Sequence, residues 1–216
     1  MRLKDKTAII TGGARGIGGA IAEGYAREGA KVCIADIEFE VAQETAARIG
    51  NGAYAFKLDV TKMDSIKACV AEAEKRFGGI DILVNAGGWG AFAPIETMDY
   101  ETEWRRTLAN EVDVVFLACQ TVWPHLKARG GGAIVNFASI NAWSALQGNY
   151  AAAHAAGKGA VLAMSRQLAM EGAPHNIRVN TISPGMIVTA ATKPRLDSEP
   201  GFKEKTLGWT LLNRLG

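Results

Sequence analysis

The chain has 216 residues, 48% hydrophobic and 21% charged, with 24 Lys and Arg against 22 Asp and Glu. That balance fits one globular domain and excludes a disordered acidic tail, a collagen-like repeat and a strongly basic nucleic-acid binder. No apolar run reaches the roughly 18–20 residues that span a bilayer.

The charged start Met1-Arg2-Leu3-Lys4-Asp5-Lys6 does not read as a signal peptide. Cys33, Cys69 and Cys119 are odd in number and far apart, and His125, His154 and His175 are scattered. This argues against a disulfide framework and a zinc site, so no metal is expected and a reduced, cytoplasmic setting is the default. Glycine stands out at 25 against 6 prolines.

In chain order, Thr7 to Ile10 reads as a buried strand ending at Thr11-Gly12-Gly13. Gly16 to Glu28 carries Ile17, Ile21 and Tyr25 on one helical stripe, and Gly29 ends it. Lys31 to Ala35 is strand, closed by Asp36. A helix from about Glu38 to Ile49 stops at Gly50-Asn51-Gly52. Ala53 to Leu58 is strand, Asp64 to Phe77 helix, and Ile80 to Val84 strand. A long helical region from about Asp99 ends at Arg129, before three glycines. Ala133 to Phe137 is strand, Gly148 to Glu171 helix, and Ile177 to Ile182 strand. Apolar strands alternating with helices predict an α/β, doubly wound parallel sheet with helices on both faces (a Rossmann fold), as a single domain over 1–216.

The run Thr11-Gly12-Gly13-Ala14-Arg15-Gly16-Ile17-Gly18 lies between the first strand and the first helix. Glycines there let the backbone approach a pyrophosphate, and the helix N-terminus offers it free N–H groups. Asp36 closes the next strand, near the spacing at which a carboxylate accepts from adenosine ribose hydroxyls. It would repel a 2′-phosphate, and no arginine follows it, which favours NAD over NADP. The bland alternative is a plain helix cap at Asp36.

The spacing Gly12-x-x-x-Gly16-x-Gly18 resembles that of the short-chain dehydrogenase/reductase family, notably its NAD-dependent alcohol dehydrogenase and 3-oxoacyl reductase-like members. So do Leu58-Asp59-Val60, Asn85-Ala86-Gly87-Gly88 and the segment Ser183 to Thr189. The resemblance covers essentially the whole chain. It implies cofactor contacts from Gly12, Arg15, Gly16, Ile17, Gly18, Asp36, Asp59, Val60, Asn85 and Gly87. Lys158, Pro184, Gly185, Ile187 and Thr189 would complete them, with Asp59 at the adenine and the last four near the nicotinamide. It also implies hydride transfer between NAD and a secondary alcohol or ketone, a substrate lid over 190–209, and a homotetramer or homodimer. Family members run further than Gly216, so the resemblance leads one to expect a chain that continues into another strand.

The family uses Ser, Tyr and Lys, with Tyr four residues before Lys on one helical face. Here Ser139 and Lys158 stand at the family positions, but His154 occupies the tyrosine's. Tyr150 lies one turn earlier, about 12 Å from Lys158 along a helix at ~1.5 Å per residue. Three readings follow. His154 carries the proton, since imidazole is the commonest general acid/base and a neighbouring ammonium favours its neutral, basic form. Alternatively Tyr150 acts through a shifted helix or a water. In the third reading the chain binds NAD but has lost or altered catalysis, as a scaffold or regulatory protein. Where the family has an asparagine the chain has Glu111, beside Asn110; it pairs with Lys158 or is simply solvated, and no role is assigned to it. Trp89 either roofs the site or packs on its own loop. His125 follows Pro124 in a helix and reads as structural.

Overall fold

Ile9 and Ile10 adjoin in sequence but enter different cores, because successive strand residues point to opposite faces. Cys33 and Ile34 divide in the same way. The computed structural model describes residues 1–216. Its strands are β1 (Thr7–Thr11), β2 (Lys31–Asp36), β3 (Tyr54–Lys57), β4 (Ile82–Asn85), β5 (Gly132–Phe137) and β6 (Ile177–Ile182). They form one parallel sheet in the order β3-β2-β1-β4-β5-β6. β1 is buried at every position, as a central strand covered on both sides must be.

Helices α1 (Gly16–Arg27) and α2 (Phe39–Ile49) cover one face through Ala22, Ala26, Ala42 and Ala46. Helix α3 (Met63–Phe77), the short turn α4 (Arg106–Leu108) and helix α5 (Val114–Ala128) follow in sequence. The other core takes Ile66 and Val70 from α3, Val115 and Val122 from α5, and Val161 from α6 (Ala152–Gly172). The strand order reverses between β1 and β4, so a crevice opens at the carboxyl ends of these strands.

The predicted elements match these within a few residues, with two differences that matter. The region from Asp99 to Arg129 is helical but not uniform: the turns at Tyr100–Arg105 and Ala109–Asp113 widen to the π form on either side of α4. Helix α6 begins at Ala152, not at Gly148, because Ala151 has left the helical region at φ −128° and ψ 30°. The lid segment forms two short helices, α7 (Lys193–Ser198) and α8 (Phe202–Leu207). β6 lies at the sheet's edge, and Gly216 exchanges backbone bonds with Met186 (3.1 Å) and Val188 (2.8 Å).

Candidate active site

The glycine turn is built by close approach. Gly12 has φ +64°, and a Cβ on it would lie 2.6 Å from the Gly87 backbone. A Cβ on Gly18 would lie 2.1 Å from the Gly12 carbonyl oxygen. No side chain caps the N-terminus of α1, so its first N–H groups are left for a ligand. This turn opens a groove of about 500 Å³, which Gly12, Arg15, Gly16, Ile17 and Gly18 line from one side. Asp36, Asp59, Val60, Gly87 and Thr189 line it too, so most expected cofactor residues meet in one place. Glycines in close backbone contact, an uncapped helix start and a carboxylate at the far end fit a dinucleotide.

Asp36 also braces the turn. One oxygen accepts from the Ala14 N–H at 3.0 Å and the other from the Glu38 N–H at 3.0 Å. It is therefore more than a helix cap. Arg15 pairs with Glu38 across the groove's mouth, so its guanidinium is engaged by a carboxylate. Asp59 accepts from the Thr61 hydroxyl at 2.6 Å and its N–H at 3.0 Å, which holds its carboxyl below the usual range. Trp89 lines the groove, with the Arg106 guanidinium 4.2 Å from its ring centroid.

Three expected cofactor residues, Asn85, Lys158 and Pro184, line neither the groove nor the adjoining cavity. Asn85 is buried beneath the sheet, where its amide donates to Asn136 Oδ1 at 2.9 Å. Asn136 donates in turn to Ser165 Oγ at 2.9 Å, and Ser165 to the Val161 carbonyl at 2.7 Å. This chain of bonds ties β4 and β5 to α6. Register decides it, since Asn85 and Asn136 are direct partners in the ladder. Pro184 lines neither groove nor cavity; its carbonyl accepts from Ile140 N–H at 3.1 Å.

A second space, about 390 Å³, adjoins the groove at Ile17 and Thr189. Ser139, Asn141, Asn149, His154, Gly185 and Ile187 line it, and the segment 190–209 adds Thr192, Arg195, Phe202 and Trp209 to its wall. Ser139 Oγ accepts from Asn141 N–H at 3.2 Å and stays at the cavity wall. Lid charges are mostly self-paired, Lys193 with Asp197 at 2.7 Å and Arg195 with Glu199. Lys205 reaches back to the Gly148 carbonyl at 2.5 Å, fastening the lid to the loop before α6.

His154 sits on the first turn of α6, its ring 5.0 Å from that of Phe92. Its Nδ1 lies 2.5 Å from Glu111 Oε1. Lys158, one turn further on, donates to the Phe137 carbonyl at 3.1 Å. Burial pushes its ammonium below the usual lysine value, and the Glu111 carboxylate opposes that shift. Tyr150 precedes α6, is 61% exposed and does not line the cavity. His125 pairs with Glu74 at 3.0 Å, the structural role expected of it.

Glu111 is the residue that sequence reasoning left without a role. It is neither solvated nor placed on Lys158 by a hydrogen bond; it is 3% exposed and bonded to His154. Two glycines make room for it. A Cβ on Gly90 would lie 2.6 Å from its Oε1, and one on Gly157 2.6 Å from its Oε2. A glycine inside α6 costs helix stability, and that cost was the one available sign of a buried neighbour.

The family model described as short chain dehydrogenase matches residues 6–200. A sorbitol dehydrogenase of Cereibacter sphaeroides is 45% identical over 190 residues, 87% of this chain and 72% of that protein. A D-threitol dehydrogenase of Mycolicibacterium smegmatis is 40% identical over 209 residues, 95% of this chain and 79% of that one. The structure of a 7α-hydroxysteroid dehydrogenase in complex with NADH and 7-oxo glycochenodeoxycholic acid superposes with TM-score 0.91 at 34% identity, covering 100% of this chain and 83% of that one. The chain belongs to the short-chain dehydrogenase/reductase family and is an oxidoreductase of that class.

Proposed function

We propose that the protein oxidises a secondary alcohol of a polyol with NAD, using His154 in place of the family tyrosine. The observation that carries this reading is the position of His154. It lies at the cavity wall on the face of α6 that also bears Lys158, while Tyr150 precedes the helix and does not line the cavity. The two relatives' names support a polyol, as does a cavity whose wall offers Ser139, Asn141, Asn149 and Thr192 for hydroxyl groups.

Gly12, Gly16, Gly18 and Asp36 would hold NAD in the groove, where it would supply the acceptor for the hydride. Ser139 donates to the substrate oxygen. His154 takes the hydroxyl proton as the hydride leaves the same carbon, which becomes a carbonyl. Lys158, whose Nζ lies beside the groove-lining Gly88, would hold the nicotinamide ribose and keep a positive charge near the forming carbonyl. Asp36, with Glu38 beside it and Arg15 engaged, disfavours a 2′-phosphate and supports NAD over NADP. The buried, unjoined thiols of Cys33 and Cys69 fit a reducing cytoplasm, and the exposed apolar Phe116 on α5 and Met170 on α6 fit a homo-oligomer.

The test is absorbance at 340 nm with NAD or NADP and a panel of sugar alcohols, for the wild type and His154→Phe. The expected result is NAD-dependent turnover on a polyol that His154→Phe abolishes while calorimetry shows unchanged NAD affinity. Undiminished turnover by His154→Phe would sink the assignment.

A further inference from the structure

A carboxylate at 3% exposure is costly unless it is paired, by several kcal/mol in order of magnitude. Glu111 has one hydrogen-bond partner, the His154 ring, its Oε2 accepts none, and the Lys158 ammonium acts on it only through space. Gly90 and Gly157 leave the space it occupies, and it stands on a π-form turn. Such turns are rare inside α-helices and are frequent at functional sites. An apolar side chain would fill the same space without the desolvation cost, so the acid calls for a reason beyond packing.

We propose that Glu111 is the positioning residue of the proton-transfer step: it binds His154 through Nδ1, leaves Nε2 for the substrate alcohol, and stabilises the imidazolium formed on proton uptake. This rests on the reading of His154 as the proton carrier. A carboxylate at Nδ1 requires a proton there, which fixes the tautomer in which Nε2 is the base. As the alcohol O–H proton passes to Nε2 and the C–H hydride leaves to NAD, the ring becomes positive. The nearest fixed negative charge is then 2.5 Å from Nδ1, within a low-dielectric pocket. The other charged groups about the ring are few. Lys158 lies one turn along the same helix, and Arg195 of the lid is paired with Glu199. Gly90, Phe92 and Ser139 are uncharged.

The experiment compares wild type, Glu111→Gln, Glu111→Leu and His154→Gln by kcat, KM, calorimetric NAD affinity and the pH profile of kcat/KM for alcohol oxidation, with melting curves as a check on folding. Glu111→Gln keeps the shape and an acceptor for Nδ1–H but removes the charge. Its kcat should fall roughly 10–100-fold, the scale on which an orienting partner acts, with KM and NAD affinity little changed. Glu111→Leu should fall further, since the tautomer is no longer held. If either variant folds poorly, nitrogen-15 NMR of His154 in the wild-type holoenzyme decides: a neutral ring protonated at Nδ1 supports the proposal, and one protonated at Nε2 overturns it. Unchanged kcat and pH profile in Glu111→Gln, with His154→Gln inactive, would overturn the role of Glu111 alone. Wild-type turnover by His154→Gln would overturn the reading beneath it.

Discussion

The glycine-lined groove and the corner around Glu111 and His154 lie on the same crevice but are built by different rules. In the groove, backbone does the work: Gly12, Gly18 and Gly87 come within reach of one another, and the N-terminus of α1 supplies donors. In the corner, side chains do it: Glu111, His154 and Lys158 share one buried, charged neighbourhood beneath Gly90 and Gly157. The first arrangement depends on local sequence and is read from a single run of residues. The second joins residues far apart in the chain, and each makes sense only beside the others. Glycine serves both, as a turn-former in one region and as empty space in the other.

Several changes would break or sharpen this contrast. The largest effect is expected at Gly18→Ala, whose new methyl would meet the Gly12 carbonyl. Displacing that turn costs about 3 kcal/mol at the upper end for overpacking, roughly 100-fold in the NAD dissociation constant. Calorimetry would show it. Next is Asn136→Ala, which leaves Asn85 and Ser165 without their buried partner. Unfolding by urea should show a loss of about 2 kcal/mol, combining a lost bond with unsatisfied groups.

A matched pair of glycine substitutions separates the two uses within α6. Gly159→Ala meets nothing within 4 Å and should stabilise the protein by about 0.5–1 kcal/mol. Gly157→Ala should gain the same helix propensity but push Glu111 off His154. Its kcat should drop about tenfold or more with NAD affinity intact, as thermal melts and steady-state rates would report.

The smallest effect concerns pH. Burial lowers the Lys158 pKa in the folded protein, so over the window between that depressed value and the ordinary one the unfolded chain binds more protons. The ammonium's cost to stability is therefore present at neutral pH and is relieved as pH rises through that window. Measured against Lys158→Met, wild-type stability should improve as pH increases towards the ordinary lysine value.

Much of the fold and of the groove was legible because the signals were local: an apolar run, a glycine turn, an acid at the end of the next strand. Asn85 and Pro184 went astray for a different reason. Motif position placed them at the cofactor, while strand register turned Asn85 into the core. Tyr150 depended on where α6 begins, which the backbone at Ala151 decides and no residue type announces. Glu111 was noticed as a departure but not explained, because its partner lies 43 residues away and its space is made by two glycines on other segments.

The most direct measurement of the central claim is a double-mutant cycle on kcat with His154→Gln and Glu111→Gln. If Glu111 acts through the imidazole, its substitution lowers the rate of the wild type but leaves the residual rate of His154→Gln unchanged. If the two losses multiply instead, Glu111 acts on the reaction independently of His154, and the account of this corner is wrong.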